Sequence, residues 1–268
     1  MHHFIFNLPV KYLAAVPFAP AVSGAVDVRA RSLGLEAMAG AFVHALPNIA
    51  GFVGGDHTAV LLAISSREER KTVIALDIGT NTEISLIRGG EIVTASCPSG
   101  PALEGGHIAC GMRAAGGAVE RVVVKDGRLQ LAVIGGGKPV GICGSGVIDT
   151  VAALREAGEL NDAGRLAAGH PDVAEIRGQR AAVLAKDIYF TQHDIRAVQL
   201  AKSAIRTGMD LLLKHMGLAE PKLERVIIAG AFGAYIDIKS AIAIGLLPDL
   251  PPERFEQVGN AAGLGIRQ

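Results

Sequence analysis

The residues best suited to chemistry lie in the run Val73-Ile74-Ala75-Leu76-Asp77-Ile78-Gly79-Thr80-Asn81-Thr82-Glu83-Ile84-Ser85-Leu86. An apolar run ends in an aspartate. A glycine turn rich in hydroxyl and amide residues follows, and then an alternating strand. Such a hairpin tip can hold a phosphate and its magnesium. Gly79 lets backbone N–H groups approach oxyanions without a clashing Cβ, and Thr80, Asn81 and Thr82 can donate to phosphate oxygens. Asp77 is a hard oxygen ligand for Mg2+, directly or through water. A carboxylate closing an apolar strand is otherwise costly. A plain hairpin reading Asp-Ile-Gly-Thr would look the same in isolation, so the rest of the chain must decide.

Two further glycine turns carry related chemistry. Glu104 precedes Gly105-Gly106, where a flexible loop could bring its carboxylate to a terminal phosphate and orient or deprotonate an attacking water. Gly144, Ser145 and Gly146 open an apolar helical run over 147–157, and the N–H groups of a helix start favour phosphate. The same glycines could serve helix packing alone. His107 and His193 read as structural residues.

These groups need elements to position them. Residues 1–35 read as a linker segment punctuated by Pro9, Pro17 and Pro20. A helix is expected over 35–46, ending before Pro47, and Asp56 is placed to cap another over 57–66, before a charged turn at 67–71. Strands at 72–77, 82–88 and 91–96 should form a sheet edge presenting the Asp77 loop. A glycine-rich loop and a helix should fill 98–120. Asp126-Gly127 joins strands at 121–125 and 128–134. Residues 159–180 read as polar and irregular.

The clearest helix spans 191–216. Thr191 and Asp194 form a capping box, and Ile195, Val198, Ala201, Ile205, Met209, Leu212 and Met216 share one face. A buried strand at 225–229 then runs into Gly230-Ala231-Phe232-Gly233. The stretch 259–266 reads as a helix barely begun, so the domain is expected to be truncated at its C-terminus.

The 268 residues, half of them apolar, include 34 glycines, which suits an α/β protein with many tight turns. Lys+Arg and Asp+Glu both number 26, and tryptophan is absent, which argues against nucleic-acid binding. The three cysteines, Cys97, Cys110 and Cys143, have no metal or iron–sulfur spacing and suggest a reducing, cytoplasmic setting. No apolar window is long enough for a membrane span.

Glycine turns at 79, 144–146, 230–233 and 259–263 follow in an order that resembles the acetate and sugar kinase/Hsp70/actin superfamily. More specifically, the chain resembles the C-terminal ATPase domain of the reductive activators of corrinoid proteins. The resemblance rests on Pro98-Ser99-Gly100-Pro101-Ala102-Leu103-Glu104-Gly105-Gly106-His107-Ile108, on Gly141-Ile142-Cys143-Gly144-Ser145-Gly146-Val147-Ile148-Asp149, on Thr191-Gln192-His193-Asp194-Ile195-Arg196 and on Ala229-Gly230-Ala231-Phe232-Gly233.

The resemblance implies a two-lobed actin/Hsp70/sugar-kinase-like, ribonuclease H-like α/β fold over 36–268. Lobe I would hold about 36–140 with 259–268, and lobe II about 141–258. It implies ATP and Mg2+ as cofactors and an ATPase that restores cobalt(I) in a corrinoid methyl-carrier protein. The electron would come from a [2Fe-2S] domain upstream, which this chain lacks. A homodimer is implied by the same family. Gly230, Ala231, Phe232 and Gly233 would form the adenosine loop. Gln199, Lys202 and Arg206, on one face of the long helix, match polar positions that contact adenosine in the Hsp70 branch. Cys143 stands where the superfamily often has an aspartate, which leaves the second magnesium contact unassigned. A small-molecule kinase acting on a sugar or carboxylate, or a nucleotide-gated scaffold without turnover, is the alternative.

Overall fold

The computed structural model describes residues 2–65, 70–230 and 233–268. The N-terminal part holds helix α1 (His2–Ile5), strands β1 (Val26–Arg29) and β2 (Phe42–Ala45), which pair antiparallel, and helix α2 (Gly55–Ala63). Strands β3 (Val73–Ile78), β4 (Thr82–Arg88) and β5 (Glu91–Cys97) follow as a meander. Next come β6 (Ala118–Lys125), β7 (Arg128–Val133), β8 (Gly141–Ile142) and helix α3 (Gly144–Glu156). A three-stranded sheet is built from β9 (Val173–Ile176), β10 (Gln179–Ala185) and β11 (Ile188–Thr191). Helix α4 (Gln192–His215), strand β12 (Arg225–Ala229), helix α5 (Ile238–Ala243), strand β13 (Phe255–Gly259) and helix α6 (Ala261–Gly265) complete the chain.

The central sheet has the order β13-β12-β3-β4-β5, with β12 parallel to both β3 and β13. Strand β3 is therefore the middle of five strands rather than part of a sheet edge. Its near-continuous apolar sequence follows from burial on both faces. Ile74, Leu76 and Ile78 point into the large core shared with α3 and α4, while Val73 and Ala75 meet Leu61 of α2 on the other face. This alternation puts Asp77 on the α2 face.

Helix α4 has the capping box its sequence predicts: Thr191 accepts from the Asp194 N–H, and Asp194 accepts from the Thr191 N–H. Its Ile195, Val198, Ala201, Ile205, Met209 and Leu212 are buried, each large one contributing about 1.5–3 kcal/mol. No described helix is long and apolar enough to cross a membrane.

Several expectations change. Residues 42–45 of the predicted 35–46 helix form a strand, because pairing with β1 outweighs a weak local helical pattern. Gly54, not Asp56, is the N-cap of α2, and Asp56 lies inside its first turn. The helix expected within 98–120 is a single 3-10 turn at Pro101–Glu104, as the many glycines there cost helix stability. The irregular 159–180 region contains β9 and the start of β10. Most of the charged turn expected at 67–71 lies outside the described residues. Strands β12 and β13, from the stretch assigned to lobe II, lie in the same sheet as β3.

Candidate functional site

One cleft of about 860 Å³ gathers Asp77, Ile78 and Gly79 from the β3 hairpin with Glu104, and Cys143, Gly144 and Ser145 from the start of α3. Gly230 and Asn260 join it, so all four glycine turns meet at this cavity. Its size falls within the roughly 300–1,000 Å³ of small-molecule sites.

The hairpin tip is braced from one side. Ser99 donates to the Gly79 carbonyl at 3.1 Å, the Gly100 N–H donates to the Thr80 carbonyl at 2.7 Å, and the Thr80 hydroxyl donates to Glu104 Oε2 at 3.2 Å. These bonds fasten the Glu104 loop to the Asp77 turn. Gly230 closes the other side. Its φ of +95° is a left-handed conformation, and a Cβ there would lie 2.6 Å from the Ile78 carbonyl oxygen and 3.1 Å from Asp77 Oδ1. Only glycine lets these two strand ends approach so closely.

The start of α3 brings an uncapped helix N-terminus to the cleft. Its N-cap, Cys143, supplies no side-chain acceptor to the first turn. The Ser145 hydroxyl donates to the Glu120 carbonyl at 2.9 Å, which ties this turn to β6. Among the described residues, Arg113 is the one basic residue that lines the cleft.

Asp56, Asp77, Glu104 and Glu120 all line the cleft. Burial raises the Asp77 carboxyl above its usual range, and the Asp56 charge raises it further. Glu83, directly across from Asp77 in the β3–β4 register, is pushed by burial to about 7, with Asp56 and Asp77 adding to the shift and the Ser96 hydroxyl opposing it. Asp56 and Asp77 bring hard oxygen donors to the cleft, the ligand type that magnesium takes, directly or through water.

Asp56 is the site residue that sequence reasoning missed. In the sequence Asp56 reads only as a helix cap, and nothing in Gly54-Gly55-Asp56 sets it apart from ordinary capping chemistry. The helix behind it is anchored by His57, whose Nε2 lies 2.6 Å from the Ser85 hydroxyl of β4. Arg113, Glu120 and Tyr235 were missed too, since they come from scattered parts of the chain.

Not every expected residue reaches the cleft. Thr82 is fully buried, with its hydroxyl 2.8 Å from that of Ser99. Asn81 is exposed at the hairpin tip. Gly146 packs tightly on the Val119 carbonyl, and Gly233 on Ile228. Gln199 and Lys202 line a separate cavity of about 380 Å³, where Lys202 donates to the Ile244 carbonyl at 2.9 Å. Arg206 pairs with Glu220 and Asp210. Ala231 and Phe232 lie outside the described residues. Asp149, the nearest carboxylate to the glycine turn of α3, is buried and ion-paired with Arg121.

The family profile described as the C-terminal domain of RACo, the ASKHA domain, matches residues 71–268, and that of the RACo middle region matches 1–68. The chain belongs to the RACo family. Its relatives include the corrinoid activation enzyme RamQ of Eubacterium limosum, 37% identical over 284 residues that cover 100% of this chain and 48% of RamQ. Another is the Co(II) methylated amine-specific corrinoid protein reductase of Methanosarcina barkeri, 29% identical over 238 residues covering 81% of this chain and 42% of that protein. A solved structure of a reductive activator for corrinoid,iron-sulfur protein matches with a TM-score of 0.88 and 36% identity, over 100% of this chain and 44% of that one. The chain thus spans about half the length of the relatives it matches.

The family boundary falls between residues 68 and 71, downstream of the 35/36 division read from proline spacing. Asp56 therefore belongs to the RACo middle region, while Asp77 belongs to the ASKHA domain. Both modules contribute carboxylates to one cleft.

Proposed function

We propose that this chain binds ATP with Mg2+ in the cleft, hydrolyses it, and uses the cycle to drive reductive activation of a corrinoid protein to cobalt(I). The electron would come from an iron–sulfur domain outside these 268 residues. The observation that carries this reading is the convergence of four glycine turns on a cavity that four acidic residues and the start of α3 also line. The names of the relatives supply the corrinoid partner.

Each group has a role that follows from its placement. Bound magnesium would neutralise phosphate charge and align the transferring group. Asp77 and Asp56 would hold its water ligands. The backbone of Gly79 and the first turn of α3 would receive phosphate oxygens, with Arg113 adding positive charge. Glu104, held by Thr80 beside the hairpin tip, would orient the attacking water and take its proton. Gly230 and Tyr235 would border the nucleoside end.

Purified protein with ATP and magnesium tests the proposal. Phosphate release without any acceptor, lost in Asp77→Ala while the circular dichroism spectrum is kept, is the expected result. Turnover that requires a metabolite acceptor would instead make the chain a kinase. Tight ATP binding without turnover, even with a corrinoid protein present, would make it a nucleotide-gated scaffold.

A further inference from the structure

Away from the cleft, the connection between α3 and β9 folds back on itself. Leu160 bridges to Leu166, the Ala167 N–H donates to the Glu159 carbonyl at 2.8 Å, and the Val183 N–H donates to the Asp172 carbonyl at 2.8 Å. This brings together Glu159, His170 and Asp172. Their ligand atoms all lie within 4.8 Å of one another, the one such group of three among the described residues.

Glu159 gives the cluster its meaning. It is only 1% exposed, and its Oε2 is buried without a hydrogen-bond partner. A dehydrated carboxylate oxygen with no donor costs several kcal/mol unless something positive meets it. His170 is half-buried and Asp172 exposed, so the group opens to solvent on the Asp172 side.

We propose that Glu159, His170 and Asp172 form a divalent-cation site that clips the α3–β9 connection, and that its preferred ion is zinc. One imidazole nitrogen with two carboxylate oxygens is a borderline donor set, which zinc accepts, whereas calcium and magnesium take oxygen shells. Two carboxylates balance the charge of the ion, and water completes the coordination. Shifts of about an ångström would bring the three ligand atoms to roughly 2 Å from a common centre.

The imidazole is available for this. Its Nδ1 accepts only a long contact, 3.3 Å, from the Asp172 N–H. That weak bond is the one to yield when either nitrogen turns to the metal. Burial raises the Glu159 carboxyl, with His170 opposing and Asp172 adding to the shift. Zinc binding would therefore displace any proton that Glu159 carries.

The test is equilibrium dialysis of metal-stripped protein against Zn2+ without nucleotide. Wild type should bind zinc at this site, and Glu159→Gln and His170→Ala should each remove about one zinc per chain, weakening its affinity by about 100-fold or more. Glu159→Gln keeps the side-chain volume and removes a buried charge, so it should fold as well as wild type. X-ray absorption at the zinc edge should show nitrogen and oxygen neighbours only. Zinc binding unchanged in both variants, no retained zinc, or a sulfur neighbour from a cysteine would each overturn the proposal.

Discussion

Asp77 and Glu83 face each other across the β3–β4 pair, and the Asp56 carboxylate of α2 acts on both. Like charges opposed in adjacent strands destabilise the fold when both are ionised. Burial raises Glu83 from 4.5 to about 7, and the Asp56 and Asp77 charges add to that shift. A raised carboxyl holds a proton in the folded state that the unfolded chain has released. Its stabilising share is complete below pH 4.5 and is lost as pH rises through 7.

His57 works in the opposite sense. Burial lowers it from 6.5 to about 4, so stability falls as pH drops through that window. The two contributions offset each other in part between 4.5 and 6.5. Glu83→Gln removes one of them. Relative to wild type, this variant should gain stability with rising pH, by on the order of 3 kcal/mol near pH 8. Urea midpoints across pH would read it, and a difference independent of pH would refute the assignment of Glu83.

Asp56 should matter to the cleft although it lies outside the ASKHA domain. In Asp56→Asn the charge that raises Asp77 and Glu83 is gone. Both carboxyls should then ionise at lower pH, and magnesium should bind about 10-fold more weakly for want of a second carboxylate. Magnesium dependence of ATP turnover would measure this. If the variant's magnesium requirement equals that of wild type, Asp56 does not help hold the ion.

Gly230→Ala sets the tolerance of the strand junction. The new Cβ must sit 2.6 Å from the Ile78 carbonyl at a φ of +95°. Backbone strain of about 1–3 kcal/mol follows. The thermal midpoint should drop and nucleotide affinity should fall with it, because the hairpin tip must move away. A variant as stable and as tight-binding as wild type would contradict the close approach.

The parts visible in the sequence are those set by local pattern. The α4 periodicity and its capping box, the Asp126-Gly127 hairpin, and the Asp77 turn are all governed by neighbours along the chain. The β1–β2 pair was not visible, because Phe42–Ala45 becomes a strand only by meeting Val26–Arg29. The place of Asp56 at the cleft was hidden for a related reason. Its first turn of helix reads as ordinary capping chemistry, and only the His57–Ser85 bond and the packing of α2 carry it to Asp77. Conversely, Gln199, Lys202 and Arg206 were correctly read as one helix face. That face meets the α3–β9 connection, the end of α5 and Glu220 rather than the cleft.

The bond from the Thr80 hydroxyl to Glu104 Oε2 gives the sharpest test of the proposed base. Glu104 is exposed, so its orientation depends on this bond and on the turn beneath it. Thr80→Val keeps the shape and deletes the donor. It should lower kcat by about 10-fold with little change in KM, since positioning of the base matters to the transition state more than to binding. Glu104→Gln should cost more, about 100-fold in kcat, by removing the proton acceptor itself. The double variant should be no slower than Glu104→Gln alone, because Thr80 acts only through that carboxylate. Additive losses in kcat would mean that Thr80 serves the phosphate directly and that Glu104 is placed by something else.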